Sequence, residues 1–257
     1  IKTALGDLDY ILKGAEKPSL ITIGGRPSMG KTAFLTTILI NLLKQKKKCL
    51  FFSLDLSSQQ LILRIISQLT EIDCYYLKTD KAMNLKNADK IYKVIGEIVD
   101  FDLKINDEHL DINSIKENIE KVKPDFVFID YLQLIEIKSK KTRAETLEGV
   151  LIELKRIAKS NNCTIFMASS LSRALENRCC KRPMLSDLRE SGGIENISDV
   201  VLFIYRDEYY DFSNPEYKNK AEIIVAKNKF GSCGVINLLF KKEIMKFSQR
   251  MRHVEEF

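Results

Sequence analysis

The sequence predicts an α/β fold with a mostly parallel central sheet, helices on both faces and an antiparallel edge. Short, unbroken apolar runs alternate along the 257 residues with segments whose apolar residues recur at helical spacing. Strands without polar alternation are buried on both faces, which is typical of a parallel sheet covered by helices. The last two apolar runs are joined by the turn-like segment 227–234, and this arrangement predicts the antiparallel edge.

The first strands and helices are predicted from two apolar runs and the segments that follow them. The run 20–23 ends in a pair of glycines and predicts a strand, and residues 29 to about 43 follow as a helix. The second run, 49–54, is bounded by polar residues and predicts another strand. Residues 57–69 then have apolar side chains at helical spacing, which predicts the second helix.

The rest of the chain continues the same alternation. Between residues 74 and 111 the pattern is weakest, and there we expect two helices and a short strand at 103–105. Further strands are predicted at 126–129, 164–168, 200–205, 221–226 and 235–240. The clearest helix is 142–160, because one apolar stripe is formed by Leu147, Val150, Leu151, Leu154, Ile157 and Ala158.

The composition is that of an ordinary globular protein. Hydrophobic residues make up 45% and charged residues 30%, which excludes disordered and low-complexity classes. No stretch of about 18 uncharged apolar residues occurs, so we expect no membrane span. The net charge of +6 permits an anionic partner without requiring one. We interpret the six cysteines as reduced thiols, and the two histidines are too few for a histidine-rich metal site.

A phosphate-binding loop is predicted between the first strand and the first long helix. Residues 25–32 match the pattern G-x-x-x-x-G-K-[ST], in which glycines let backbone N–H groups converge on an anion. The positive end of the following helix dipole lies at the same place. Lys31 would add a charge for the β and γ phosphates. The predicted nucleotide-binding residues here are Gly25, Arg26, Pro27, Ser28, Met29, Gly30, Lys31, Thr32 and Ala33.

A metal site is predicted from the hydroxyl of Thr32 and the carboxylate of Asp130. Asp130 follows the apolar run 126–129, so it lies at the carboxyl end of a buried strand, where open α/β sheets bind ligands. Together with the phosphate loop, this acid predicts that Thr32 and Asp130 hold Mg²⁺. The alternatives without a ligand are a glycine-rich turn for the phosphate loop and, for Asp130, an ordinary strand that ends in Asp.

Five segments resemble the motifs of bacterial replicative DNA helicases of the DnaB type: 26–34, 52–57, 129–134, 171–178 and 181–195. The resemblance continues through 199–210 and 221–234, so it covers nearly the whole chain. It implies a RecA-like P-loop NTPase that hydrolyses ATP with Mg²⁺, forms a homohexamer and moves 5′ to 3′ on single-stranded DNA. We expect residues 1–257 to be this motor domain, with the family's N-terminal domain and linker helix outside the sequence.

The resemblance also assigns catalytic roles, at positions where this chain departs from the family pattern. Asp55 stands where the family has a Glu that aligns the attacking water, and Ser170 stands where it has a Gln that senses the γ phosphate. Lys227 and Lys229 occupy a Lys-x-Arg pair that reaches a neighbouring subunit, so Lys229 replaces an arginine finger. Lys lacks the bidentate fork of Arg. These departures fit a slow motor, a drifted sequence or a subunit that has lost hydrolysis.

The predicted DNA-binding residues are Arg178, Arg182, Arg189, Glu190 and Gly192. By resemblance, Arg189, Glu190 and Gly192 hold successive phosphates of one strand, contacts that are independent of base sequence and sensitive to salt. A second basic loop contains Lys138, Lys140, Lys141 and Arg143. A solvated loop is the alternative for both segments.

Three further arginines are expected at the edge of the nucleotide site. Arg206 is expected to organise the nucleotide site or bridge subunits, with a structural ion pair as the alternative, and Arg250 and Arg252 are expected near the nucleotide base.

The resemblance implies primase and a helicase loader as partners. It places the protein in the cytoplasm at the nucleoid, or in a plastid or other organelle lumen. A recombinase-type relative and a weakened ATP-binding ring subunit are the alternative functions.

Overall fold

The computed structural model describes residues 2–13, 17–79, 85–136, 142–188 and 192–249. One sheet contains every strand of this described part, in the order β3-β2-β4-β5-β1-β6-β7-β8-β9. The strands are β1 Ser19–Gly25, β2 Cys49–Ser53, β3 Leu103–Asn106, β4 Phe126–Asp130, β5 Thr164–Ser170, β6 Val200–Tyr205, β7 Lys220–Asn228, β8 Gly234–Lys241 and β9 Lys246–Gln249.

Helices connect these strands. The α-helices are α1 Gly6–Leu12, α2 Lys31–Lys44, α3 Ser58–Thr70, α4 Cys74–Leu77, α5 Leu85–Val99, α6 Ile112–Val122, α7 Arg143–Ser160, α8 Gly192–Ile197 and α9 Asp207–Tyr210. Short 3₁₀ helices span Leu132–Leu134, Arg173–Asn177, Leu185–Asp187 and Pro215–Tyr217. In the described part of the chain, no helix is both long enough and apolar enough to cross a bilayer.

The sheet confirms the predicted fold class. Strands β3, β2, β4, β5, β1 and β6 pair in parallel, whereas β7, β8 and β9 pair antiparallel at one side. The hairpin of β7 and β8 lies where the sequence predicted the antiparallel edge, and β9 extends it. The carboxyl ends of β1, β2, β4 and β5 therefore meet at one edge of the sheet, which is where ligands bind in open α/β folds.

Two apolar cores lie on the two faces of the sheet. Alternate residues of each central strand face opposite ways, so Phe51 and Phe128 belong to the core beneath α2, while Phe52 and Ile129 belong to the core beneath α7. The rings of Phe51 and Phe128 are stacked with centroids 5.6 Å apart. Burial on both faces explains why these strands have continuous apolar sequences without alternation.

The elements that sequence patterns missed are short or weakly apolar. Helix α6 has only Ile115 and Ile119 buried, so its periodicity is carried by two side chains. Strand β9 is four residues long, and Phe247 is its one buried residue. Helix α1 is seven residues long and buries only Leu8 and Leu12. Windows this short contain too few periods to separate a helix or strand from a loop. The two helices and the short strand expected between residues 74 and 111, in contrast, are present as α4, α5 and β3.

Candidate nucleotide-binding site

The phosphate loop curls between β1 and α2. Its last residue, Gly30, has φ 102° and precedes the first turn of α2 without a side-chain cap. A side chain at Gly30 would be strained at this φ and would come within 3.1 Å of the Phe247 ring. At Gly24, a Cβ would lie 2.7 Å from the ring of Phe203. Both glycines are therefore required by close approach, and the loop leaves the N–H groups of α2 without capping side chains.

Lys31 lies inside the curl of this loop. Its Nζ donates hydrogen bonds to the carbonyl oxygens of Gly25, at 2.9 Å, and Arg26, at 3.2 Å. Burial lowers the pKa of Lys31, while the carboxylates of Asp130 and Asp55 act in the opposite direction. A partly desolvated ammonium that uses neutral acceptors has a strong preference for an anionic ligand.

Asp130 ends β4 and is 2% exposed. The Thr32 hydroxyl hydrogen-bonds this carboxyl group, but burial dominates and raises the pKa of Asp130. Its Oδ2 atom is fully buried and has no hydrogen-bond partner in the described part of the chain. An unpaired buried carboxylate oxygen beside a hydroxyl is a donor set that fits a hard divalent cation such as Mg²⁺.

Asp55 lies next to Asp130 because β2 and β4 are paired at their ends. Ser53 is opposite Asp130 in the register, and the Leu54 N–H donates to the Asp130 carbonyl at 2.9 Å. Asp55 is exposed to the cavity that the phosphate loop forms. The two carboxylates therefore share one end of this cavity. The sequence predicted Asp130 from its position at a strand end and Asp55 from the family resemblance.

Ser170 ends β5, opposite Gly25 of the phosphate loop. Its N–H donates to the Gln133 side-chain oxygen at 3.2 Å, and the Gln133 amide donates to the Ser169 hydroxyl at 3.0 Å. An amide side chain thus reaches the strand end at Ser170, where the resemblance predicts a γ-phosphate sensor. Sequence analysis did not single out Gln133.

A cavity of about 580 Å³ joins these groups. Of the predicted site residues, it brings together Pro27, Ser28, Gly30, Lys31, Thr32, Ala33, Asp55, Asp130, Ser170 and Arg206. It also exposes residues that sequence analysis missed, namely Arg64, Tyr131, Phe240, Lys242 and Met245. Arg64 had a detectable signal, because it is the single charged residue in the sequence of α3.

Three predicted loop residues have different surroundings. Met29 is 1% exposed and packs into the core. Gly25 ends β1, and its carbonyl accepts from Lys31. The Arg26 guanidinium points away from the cavity, donating to Glu176 at 2.9 Å and to the Leu171 carbonyl at 3.1 Å. Arg26 therefore connects the phosphate loop to the segment that follows β5.

Arg206 is 7% exposed at the end of β6 and contacts the phosphate loop directly. It donates to the Ser28 carbonyl at 3.4 Å and to Glu208 at 3.0 Å. Its guanidinium lies 4.3 Å from the centroid of the Phe240 ring. The ion pair with Glu208 and the placement in the cavity wall are both present, so the two alternatives for Arg206 are not exclusive.

Lys227 and Lys229 lie outside this cavity. The Lys227 ammonium donates to the carbonyls of Glu195 and Asn196 at the end of α8, and burial lowers the pKa of Lys227. The Lys229 ammonium lies 3.3 Å from Asp199, a carboxylate that also pairs with Lys155. Neither lysine reaches the phosphate loop of its own chain.

The two basic residues of the predicted DNA-binding set that the structure describes, Arg178 and Arg182, have partners within the chain. Arg178 pairs with Asp187 at 2.8 Å. Arg182 donates two hydrogen bonds to Glu222, at 2.8 and 2.9 Å, and these bonds raise the pKa of Arg182. Gly192 begins α8 and is exposed. Arg189, Glu190, Lys138, Lys140, Lys141, Arg250 and Arg252 lie outside the described residues.

Comparison with known proteins places the chain in a family. The family model for the DnaB-like helicase C-terminal domain matches residues 1–249. A probable replicative DNA helicase of Trieres chinensis is 40% identical over 94% of this chain and 55% of its own length. The replicative DNA helicase DnaB of Geobacillus stearothermophilus is 35% identical over all of this chain and 58% of its own length. The chain thus spans little more than half of these relatives.

Solved structures agree with this assignment. A solved ATPase domain superimposes with a TM-score of 0.92 at 33% identity, covering 97% of this chain and 90% of that domain. A DnaB-like replicative helicase, whose structure concerns its interactions with primase, also gives a TM-score of 0.92 at 33% identity and covers 97% of this chain and 61% of its own. The chain belongs to the DnaB-like helicase C-terminal domain family.

Proposed function

We propose that residues 1–257 form an ATP-dependent motor domain of a replicative DNA helicase, which translocates 5′ to 3′ on single-stranded DNA and unwinds duplex at the replication fork. One observation carries this proposal: Lys31, Thr32, Asp55 and Asp130 line a single cavity whose floor is an uncapped helix N-terminus. That arrangement suits a nucleoside triphosphate bound with a divalent cation. Family membership supports the coupling of this site to DNA.

Each side chain has a separate task in ATP hydrolysis. Lys31 exchanges its carbonyl acceptors for the β and γ phosphates, which are stronger acceptors because they are charged. Thr32 and Asp130 would hold Mg²⁺, which neutralises charge on the phosphates. Asp55 orients the attacking water from the neighbouring strand end. Its side chain is one methylene shorter than Glu, so this step is expected to be slow.

The working assembly is proposed to be a homohexamer with ATP between subunits. Lys227 and Lys229 lie away from their own cavity, on β7 and directly after it, so any nucleotide that they contact belongs to another subunit. Lys229 supplies charge but lacks the bidentate fork of an arginine finger. Single-stranded DNA is proposed to contact Arg189, Glu190 and Gly192.

Partners and location are proposed from the relatives. One similar solved structure is described by its interactions with primase, and we propose primase and a helicase loader as partners of this protein also. The proposed location is the cytoplasm at the nucleoid, or an organelle lumen.

The test is ATP turnover by the chain with and without single-stranded DNA, together with its mass in solution with nucleotide. The motor model predicts that DNA stimulates turnover several-fold and that nucleotide favours a six-subunit particle. ATP turnover that single-stranded DNA does not change at low salt would contradict the motor model. Filaments on DNA in place of closed rings would favour a recombinase-type relative.

A weakened ATP-binding ring subunit is the second candidate. Asp55, Ser170 and Lys229 all carry shorter or less directional groups than the related helicases, and all three belong to the same proposed reaction. This candidate predicts tight ATP binding with negligible turnover. Replacing the three residues together by Glu, Gln and Arg should then raise turnover sharply, and no gain would argue against it.

A further inference from the structure

Arg26 belongs to the phosphate loop by sequence, but its side chain contacts another segment. It is buried, and its Nε and Nη2 atoms lie 2.9 and 2.7 Å from the carboxylate oxygen Oε1 of Glu176. Its Nη1 atom donates to the Leu171 carbonyl at 3.1 Å. Charge-assisted bonds of a planar guanidinium hold their acceptors in a defined position. Arg26 therefore ties the phosphate loop to the segment that begins at Leu171.

The sheet places these two segments side by side. Strands β1 and β5 are parallel neighbours, and their last register pair is Gly25 with Ser170. Arg26 and Leu171 are the next residues after the two strands, so both segments leave the sheet at the same edge. Packed interiors have low compressibility and transmit displacements through direct contacts. A displacement of the phosphate loop is therefore transmitted to the segment after β5.

The contacts continue from Leu171 toward the region proposed to bind DNA. Leu171 pairs with Leu188 in an isolated antiparallel bridge, and the Ser172 N–H donates to the Asp187 carbonyl at 2.8 Å. Both leucines are buried. In the sequence, Leu188 directly precedes Arg189, the first of the residues proposed to hold successive DNA phosphates. Contacts between described residues thus lead from the phosphate loop to the residue before Arg189.

Nucleotide binding changes the contacts of Arg26 on its backbone side. The Lys31 ammonium donates to the Arg26 carbonyl at 3.2 Å and to the Gly25 carbonyl at 2.9 Å. In the proposed reaction, Lys31 leaves these oxygens for the β and γ phosphates. The Arg26 carbonyl then loses a charged donor, while the guanidinium keeps its contacts with Glu176 and Leu171. The empty and the occupied loop therefore differ in their contacts at Arg26, as energetic coupling between two sites requires.

We propose that Arg26 and Glu176 are positioning residues that couple occupancy of the nucleotide site to affinity for single-stranded DNA. The inference rests on the proposed ATP site and DNA-binding segment, and it adds the connection between them. The resemblance predicts a γ-phosphate sensor at Ser170, whose side chain is shorter than the Gln of the family pattern. The connection through Arg26 does not require a long side chain at that position.

The test measures the dissociation constant of a labelled single-stranded oligonucleotide from the 257-residue chain by fluorescence anisotropy. It is measured without nucleotide and with a saturating non-hydrolysable ATP analogue and Mg²⁺, and the ratio of the two constants is the coupling factor. Linkage requires that DNA change the affinity for the analogue by the same factor. The variants are Glu176→Ala and Glu176→Gln, of which the second keeps an acceptor oxygen.

Glu153→Ala is the matched control, because Glu153 pairs with the exposed Arg156 at 2.9 Å on α7. Thermal unfolding verifies the fold of each variant, since Glu176→Ala leaves the buried Arg26 guanidinium without its carboxylate. The double variant Arg26→Gln/Glu176→Ala removes that charge and carries the test if the single variant is unfolded.

The two wild-type dissociation constants are expected to differ about 5- to 150-fold, as is usual for coupled sites. Glu176→Ala should reduce this difference to less than about 2-fold, while its affinity for each ligand alone changes less than about 3-fold. Glu176→Gln should give an intermediate factor, and Glu153→Ala should keep the wild-type factor.

A wild-type factor in Glu176→Ala would overturn the proposal, even if each ligand alone bound more weakly, because the ion pair would then be structural only. A wild-type chain that binds both ligands with a factor of one would also overturn it, and would leave the nucleotide site intact. A wild-type chain that binds neither ligand would instead refute the proposed function, and the coupling with it.

Discussion

The phosphate loop and the segment that follows β5 both contain basic residues in motif-like sequences, but their charges are used differently. In the loop, Lys31 contacts only neutral carbonyl oxygens and faces a cavity. In the segment 171–188, Arg178 and Arg182 are already paired with the carboxylates of Asp187 and Glu222. A charge that is paired within the chain loses that pair when it binds DNA. The comparison indicates that residue type and spacing alone do not tell whether a charge faces a ligand or an internal partner.

The partners explain why the two regions differ in predictability. Lys31 is positioned by residues five and six places earlier, so the local sequence contains the whole arrangement. Arg182 is paired with a residue 40 positions later, on β7. That contact depends on β6 and β7 lying side by side in the sheet. Four experiments can break or sharpen this contrast.

The largest effect is expected from Lys31→Ala. It removes the cation of the phosphate loop, and ATP turnover should fall by roughly 10²- to 10³-fold, because no other ammonium lies within the curl of the loop as described. Turnover measured with and without single-stranded DNA is the readout. Lys44→Ala, at the exposed end of the same helix, is the matched control and should keep normal activity. Persistent turnover in Lys31→Ala would remove the proposed site.

Asp55→Glu tests the carboxylate of the proposed water-orienting group. The added methylene brings the carboxylate more than about 1 Å nearer to the water, and turnover is expected to rise by up to about 100-fold. Asp100→Glu makes the same chemical change at an exposed position after α5 and should leave turnover unaltered. Unchanged or lower turnover in Asp55→Glu would show that this chain has adapted to Asp.

Asp130→Asn separates stability from function. Burial holds the pKa of Asp130 above its usual value. At pH values between the usual pKa and the raised pKa, the folded state therefore binds a proton that the unfolded state has lost. Stability should therefore increase as the pH falls from neutral toward about 4. Asp130→Asn should raise the free energy of unfolding at neutral pH by about 1 kcal/mol and abolish stabilisation by Mg²⁺ with nucleotide.

Thermal unfolding between about pH 5 and 8 measures this effect of Asp130. Asp125 provides a control of opposite sign: burial acts to raise the pKa of Asp125, but hydrogen bonds from Lys17 and from the Lys48 N–H lower it overall. Its contribution to stability is present above the usual carboxyl pKa and is lost as the pH falls through the lowered one. Asp125→Asn should thus destabilise the protein at neutral pH. Loss of stability in both variants would contradict a destabilising effect of the buried Asp130 carboxylate.

The smallest effect is expected from Arg182→Ala. The ion pair with Glu222 is partly exposed, so its loss should lower the free energy of unfolding by about 1 kcal/mol. Affinity for labelled single-stranded DNA, measured by fluorescence anisotropy at several salt concentrations, should change less than about 2-fold. Arg189→Ala should instead weaken binding and reduce the salt slope by about one. If both variants lost the same amount of DNA affinity, Arg182 would have to leave Glu222 and bind a DNA phosphate.

Much of the fold was predictable because its strands are long, apolar and buried on both faces. The parallel strands and the helices α2, α3 and α7 have enough turns or residues for a clear period. Helices α1 and α6 and strand β9 do not, because two or fewer buried side chains mark each of them. The site was predictable where it coincides with a strand end or a loop motif, as at Lys31, Asp55 and Asp130. It was not predictable at Phe240 and Met245, which reach the cavity from distant segments.

The sequence by itself determined the curl of the phosphate loop, the order of the long strands and helices, and the family. These depend on contacts between residues that are close in the chain, or on motifs that are read as consecutive letters. The tertiary structure alone decided which charges remain available. It paired Arg182 with Glu222 and Lys229 with Asp199, and it left Arg64 facing the cavity. The folded sheet brings the partners of these two ion pairs together from separate segments, so no local pattern predicts them.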